Sequence, residues 1–293
     1  MLKSLLLAAS AFITVSARAQ QPEPMLFKVE YQFIHLLNKA KNDTLHNEKL
    51  VLRVSPEGSA YGRLDFEAVI QKKELLPPPP PGSVTITAVG RPMAIVNDWG
   101  ITDDALFFNH SKKEIQKTAS VGVMLYSIKE SYPTINWQIT SNTKQVGEYT
   151  CQEATGTFAG RKYTAWFTTE LPSQAGPWKL NGLPGTILEA TDDKGEVFFI
   201  FNRIAQAREG EMTQNELYKE PVSVTQSAFN KAKDGFDQNP SGVVQAQTGV
   251  TGNILFRFRD RNDKFHSDEA AHRLLEEKRK KTKAVLSNPL ELK

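Results

Sequence analysis

Cysteine is nearly missing from this 293-residue sequence. Cys151 stands alone, so no internal disulfide framework can exist, and stability has to come from burial. Long apolar spans are missing as well: the run Leu5 to Val15 falls short of the roughly 20 helical residues that cross a bilayer. Charge of one sign is also scarce, with 36 Lys and Arg against 33 Asp and Glu. Binding to nucleic acid requires a basic field that displaces counterions from phosphate, so this near-balance argues against a nucleic-acid partner. The one dense basic cluster, EEKRKKTKAV, reads as a solvated helix face.

The written motifs of common chemistries are absent too. His35, His46, His110, His266 and His272 never occur in H-x-H, H-E-x-x-H or C-x-x-C contexts, so no zinc site is encoded locally. Glu269 and His272 share a helical face by spacing, which a solvated surface explains. There is no G-x-S-x-G elbow for a nucleophilic serine, nor a phosphate-binding glycine loop. Asp103-Asp104 and Asp192-Asp193 are adjacent acids, and adjacent strand residues point to opposite faces. They read as turn formers, and no catalytic residue, metal ligand or cofactor is expected from local pattern.

What is present begins with an address. Lys3, the short apolar run and Ala17-Arg18-Ala19 form the pattern of a cleaved signal peptide over residues 1–19. Its removal leaves 34 basic against 33 acidic residues. Residues 20–293 are enough for one β-rich domain with a sizeable core.

The dominant period is two. In LFKVEYQFIHL, Phe27, Val29, Tyr31 and Phe33 alternate with polar residues, the signature of a half-buried strand. Lys49 to Val54 is a second strand, and Ser55-Pro56-Glu57-Gly58 a turn. Leu64 to Leu76 fits a short helix, ended by Pro77 to Pro81, which together with the residues to 83 reads as a stiff exposed loop. Strands are expected over 84–89, 93–96 and 105–109.

From Gly147 the pattern predicts a long hairpin turning at Ala159-Gly160-Arg161. It is followed by a Gly/Pro-rich crossing and by two strands joined through Asp192 to Gly195. Val197 to Phe201 is apolar throughout, which predicts a central strand covered on both faces. The Gly-, Gln-, Asn- and Ser-rich stretch 234–252 reads as a flexible loop, and 267–286 as a basic C-terminal helix capped by Ser267. The fold class expected is mainly β (β-rich α+β): a large twisted antiparallel sheet or half-barrel with a short helix and a C-terminal helix.

Three segments, NWQI, GEYTCQEATGTFAGRKYTAWFTTELP and GPWKLNGLPGTILEATDDKG, resemble in order and spacing the hallmark region of the GLPGLI family, exported proteins of Bacteroidetes. NPLEL at 288–292 is similar to the family's NP[IL]EL terminus. Gly182, Leu183, Pro184 and Gly185 are the motif. Thr186 departs from the family's Leu, and Val146 to Tyr149 from its more usual Gly-Gly-Tyr. The resemblance implies a soluble periplasmic or envelope protein built on a large twisted sheet, and it brings no established catalytic residues.

The residues that invite a binding role are Trp137, Trp166 and Trp178, with Arg161 as a polar contact. They could line a groove for a small apolar ligand, a sugar or an envelope partner, or they could pack a core, since Trp is usually buried. Function is therefore expected to be non-enzymatic binding by an exported protein of the periplasm, outer-membrane surface or exterior. Two alternatives stand beside it: metal handling by Cys151 and distant histidines, and an envelope hydrolase using carboxylates brought together by folding. The alternating pattern around Cys151 favours a buried core thiol.

Overall fold

The computed structural model describes residues 24–37, 45–63, 105–122, 124–211, 221–249, 258–259, 265–266 and 289–292. The signal-peptide segment, the helix expected over 64–76, the proline run, the strands of 84–96, the Asp103-Asp104 pair and the helix of 267–286 lie outside the described residues.

Alternating apolar residues build twelve strands into one open sheet: β1 (Phe27–Leu36), β2 (Leu45–Val54), β3 (Gly58–Arg63), β4 (Ala105–Asn109), β5 (Glu114–Val121), β6 (Met124–Glu130), β7 (Gln138–Val146), β8 (Tyr149–Phe158), β9 (Arg161–Thr168), β10 (Thr186–Asp192), β11 (Val197–Gln206) and β12 (Val222–Val224). Their order is β12-β6-β5-β4-β3-β2-β1-β11-β10-β9-β8-β7. Neighbours are antiparallel except β12, which lies parallel to β6, so the sheet is mixed and not wholly antiparallel. It does not close into a barrel. A second, two-stranded sheet pairs β13 (Phe258–Arg259) with β14 (Phe265–His266).

On β1, Val29, Tyr31 and Phe33 are fully buried and face the same way as Leu50 and Leu52 of β2 and Phe199 of β11. A single layer of strands cannot bury this face alone. The Gly/Pro-rich crossing between β9 and β10 supplies the cover. Leu171, Ala175, Trp178, Leu180 and Leu183 fold back into the same apolar cluster. The crossing is tied down by Ile187 N donating to Ala175 O (3.1 Å) and Thr186 Oγ1 donating to Leu171 O (2.9 Å). Tyr31 Oη donates to Ile187 O at 2.6 Å. The GLPG motif is thus part of a plug on the sheet.

Two helices cover the other end of the sheet: α1 (Gln226–Gln238), capped by Thr225 Oγ1 accepting from Ala228 N, and α2 (Pro240–Thr248), capped by the Asn239 side chain accepting from Gly242 N. Residues 234–252 read as a loop in the sequence, yet Phe229, Phe236 and Val244 pack on Ala119, Val121 and Ile128 of β5 and β6. Tertiary burial overrides the weak helix propensity of Gly, Asn and Ser. Neither helix is long and apolar enough to cross a membrane.

The central position expected for the Val197–Phe201 strand is found, but its cover on both faces is not. Val197 and Phe199 are buried, whereas Phe198 is half-buried and Ile200 exposed. Among the described residues the plug covers one face of the sheet.

Candidate functional site

The four residues singled out from the sequence do not share one surface. Trp178 is buried in the plug, with backbone in the left-handed region (φ 52°) and its ring edge-on to Phe158 at 5.4 Å between centroids. Trp137 is half-buried; its Nε1 donates to Asn181 O at 2.8 Å, and its ring packs where Gly156 leaves no Cβ. These two belong to the packing of the plug. Trp166 lies elsewhere. On β9, Arg161, Tyr163, Ala165 and Phe167 are buried and Trp166 alternates with them, so its ring lies on the outer face.

There Lys144 Nζ sits 4.5 Å from the Trp166 ring centroid and 2.6 Å from Glu189 Oε2. Glu153 and Glu189 flank Trp166 across the two neighbouring strands. The same face continues through Phe198 and Ile200 of β11 and Ile34 of β1, which pairs with Phe198. The face is mixed: Glu189 and Thr191 of β10 lie between Trp166 and the partly exposed Phe198 and Ile200, with Lys144 and Glu153 on the far side of Trp166.

Arg161 has a different fate. Its side chain is 1% exposed, and Nη1 donates to Asp192 Oδ2 at 2.6 Å and Glu196 Oε2 at 2.9 Å. Asp192 Oδ1 in turn accepts from Glu196 N (2.7 Å) and Val197 N (2.9 Å). Two further guanidinium hydrogens reach a separate segment: Nε donates to Leu290 O at 3.1 Å and Nη2 to Pro289 O at 2.9 Å. Leu292 N donates to Ala159 O, and Lys179 pairs with Glu291 at 2.7 Å. Local pattern had assigned Asp192 to the turn, and it does shape that turn. Its pairing with Arg161, 31 residues away, is a product of folding.

Buried polar side chains without partners occur near this arrangement (His35, Tyr163) and farther off on β3 (Tyr61). Both ring nitrogens of His35, Tyr61 Oη and Tyr163 Oη have no hydrogen-bond partner among the described residues. Burial, and then the nearby charges of Arg161 and His46, push His35 down to about 4. Its imidazole is therefore neutral at pH 7. Burial likewise raises Tyr163.

One hydrogen-bonded chain has the outline of a nucleophile, a base and an orienting group. Ser59 Oγ lies 2.9 Å from His110 Nε2, and His110 Nδ1 lies 2.7 Å from Tyr132 Oη. Burial, and then Lys113, hold His110 down to about 4, which makes it a poor proton acceptor. The group on Nδ1 is a phenol, so no carboxylate offsets an imidazolium. Ser59 is buried. The chain reads as a tie between β3, the turn after β4 and the segment after β6.

The alternative chemistries fare no better among the described residues. Cys151 is fully buried and burial pushes its thiol up to about 11, the Glu189 charge adding to the effect. No group of three His, Cys, Asp or Glu suited to a metal ion occurs among the described residues. Of the carboxylates that folding brings together, Asp192 and Glu196 are buried and engaged with Arg161, Glu130 and Glu291 both pair with Lys179, and Glu189 pairs with Lys144.

A family model described as a protein of unknown function (Porph_ging) matches residues 158–189, which run from the β8–β9 turn through the plug into β10. No curated protein matches the chain. Two solved structures of PNGF-II, in C2 and P21 space groups, are similar with a TM-score of 0.50 and 11% identity, covering 71% and 81% of this chain. They share its fold. The chain spans about a third of their length, 32% and 37%.

Proposed function

We propose that this chain is an exported, non-enzymatic binding protein that holds an apolar ligand on the outer face of its sheet around Trp166. The observation that carries this reading is that Trp166, Phe198, Ile200 and Ile34 share one face of the sheet, partly open to solvent and not covered by the plug. A half-exposed Trp offers a large rigid contact area with a polar edge. Lys144, Glu153 and Glu189 around it provide orienting polar contacts, the usual composition of a small-molecule site. Export is supported by the charged, apolar and small-residue order of the first 19 residues. The resemblance to exported envelope proteins and the match to a family of unknown function fit the same reading.

The test is a titration of the folded protein with fatty acids, sterols, oligosaccharides and apolar peptides, followed by tryptophan fluorescence and chemical-shift changes. Saturable changes centred on Trp166, abolished in Trp166→Ala, are expected. Saturable changes confined to the plug, or none with any ligand class, would sink the reading.

A further inference from the structure

We infer that the Arg161 clasp is a peptide-acceptor site, and that the 289–292 segment is its resident, detachable ligand: a Pro-Leu-Glu-Leu strap bent at Leu290 and Glu291. This site is separate from the Trp166 face and does not depend on it.

The acceptor half is complete without the strap. Arg161 opens β9, Asp192 closes β10, and Glu196 precedes β11. Asp192 and Glu196 fix the Nη1 edge of the guanidinium, and two backbone N–H groups fix Asp192. All these groups come from two adjoining hairpins. The guanidinium fork is thereby aimed before any peptide arrives, which lowers the ordering cost of binding.

The strap is read largely through its backbone. Arg161 Nε and Nη2 donate to the carbonyls of Leu290 and Pro289, and Ala159 O accepts from Leu292 N. Gly160 lets the strap approach, because a Cβ there would sit 2.7 Å from Leu292 Cβ. Two side chains supply selectivity: Leu290 is 8% exposed within the main apolar cluster, and Glu291 pairs with Lys179. The strap is thus held by its main chain against the β8–β9 turn and the Arg161 fork, and the Leu290 pocket supplies identity.

The experiment uses the full chain carrying Leu290→Asp, which places a carboxylate where the apolar cluster receives a leucine and so drives its own strap out. A fluorescein-labelled peptide with the sequence of residues 287–293, SNPLELK, is added in trans and followed by anisotropy. Expected is saturable binding to the variant. Binding to the wild type should be roughly 100-fold weaker, because its strap competes at an effective concentration in the millimolar range. The same peptide with its first leucine replaced by Asp should not bind. A folded variant that ignores SNPLELK, or binds both peptides alike, overturns the inference. Should the variant fail to fold, hydrogen exchange of the wild type decides. The Leu292 amide should open at least about tenfold more often than the core amides of Val29 and Phe199 if the strap detaches. Exchange in step with those core amides would show a segment integral to the fold and overturn the proposal.

Discussion

Arg161 Nη1 lies 2.6 Å from Asp192 Oδ2 with the two side chains 1% and 0% exposed, a buried ion pair between neighbouring strands. Removing one partner leaves the other charged and dry, at a cost of about 3–5 kcal/mol. Arg161→Met should therefore lower the urea midpoint by that equivalent at an unchanged slope. Arg161→Lys, which keeps the charge and loses the forked contacts, should fall in between. An Arg161→Met midpoint within about 0.5 kcal/mol of wild type would show that the pair adds nothing.

Two glycines of the GLPG motif should respond differently to the same substitution. A Cβ at Gly185 would overlap the Thr168 carbonyl oxygen, a backbone atom that cannot step aside, whereas at Gly182 (φ +93°) nothing lies within 4 Å. Gly182→Ala should cost only the backbone strain of a left-handed residue, about 1–2 kcal/mol. Gly185→Ala should cost more, because the plug must shift off β9. Thermal denaturation of the two variants measures the order, and an inverted order would mean that the plug is loosely seated.

His35 gives the protein an acid sensitivity whose sign is fixed. Its folded pKa of about 4 lies below the ordinary 6.5, so between those values the unfolded chain binds a proton that the folded chain does not. Stability is constant with respect to this group above about pH 6.5 and falls as pH drops to about 4, by about 3 kcal/mol in all. His110, also held at about 4, acts in the same direction and window. Urea midpoints between pH 7 and 4 should flatten in His35→Gln relative to wild type, and identical pH slopes would refute the assignment.

Cys151 should be chemically silent in the folded state. Its thiol is fully buried and pushed up to about 11, and the thiolate is the reactive form. Labelling by a disulfide-exchange reagent at pH 8 should proceed only after addition of denaturant. Prompt labelling of native protein would place the thiol at the surface and reopen the metal-handling alternative.

The strands of 27–36 and 161–168 were legible because burial recurs at alternate residues, 27, 29, 31 and 33 and 161, 163, 165 and 167, and a half-buried strand writes its burial as a period of two. The strand of 149–158 was legible from its hairpin with 161–168, although it buries Cys151 and Ala154 on opposite faces. The hairpin turn at Ala159-Gly160 was legible for a related reason: both residues take positive φ, 49° and 75°, as a two-residue turn demands. The helices at 226–248 were not. Their Gly-, Asn- and Gln-rich surface says little, and what holds them is Phe229, Phe236 and Val244 against strands about 100 residues earlier in the chain. The outer-face exposure of Phe198 and Ile200 was hidden as well, because an apolar run looks the same whether one face is covered or two.

By itself the sequence determined the single-cysteine chemistry, the near-neutral charge, the β-rich class and the Gly/Pro path of residues 176–185, since each rests on local composition or backbone sterics. Only the tertiary structure decided that Trp137 and Trp178 pack the plug while Trp166 faces outward, and that Arg161 joins Asp192, Glu196 and the strap at 289–292. Those partners are separated by 31 to 129 residues, and a pairing over such distances is set by strand order and register, which no local pattern encodes.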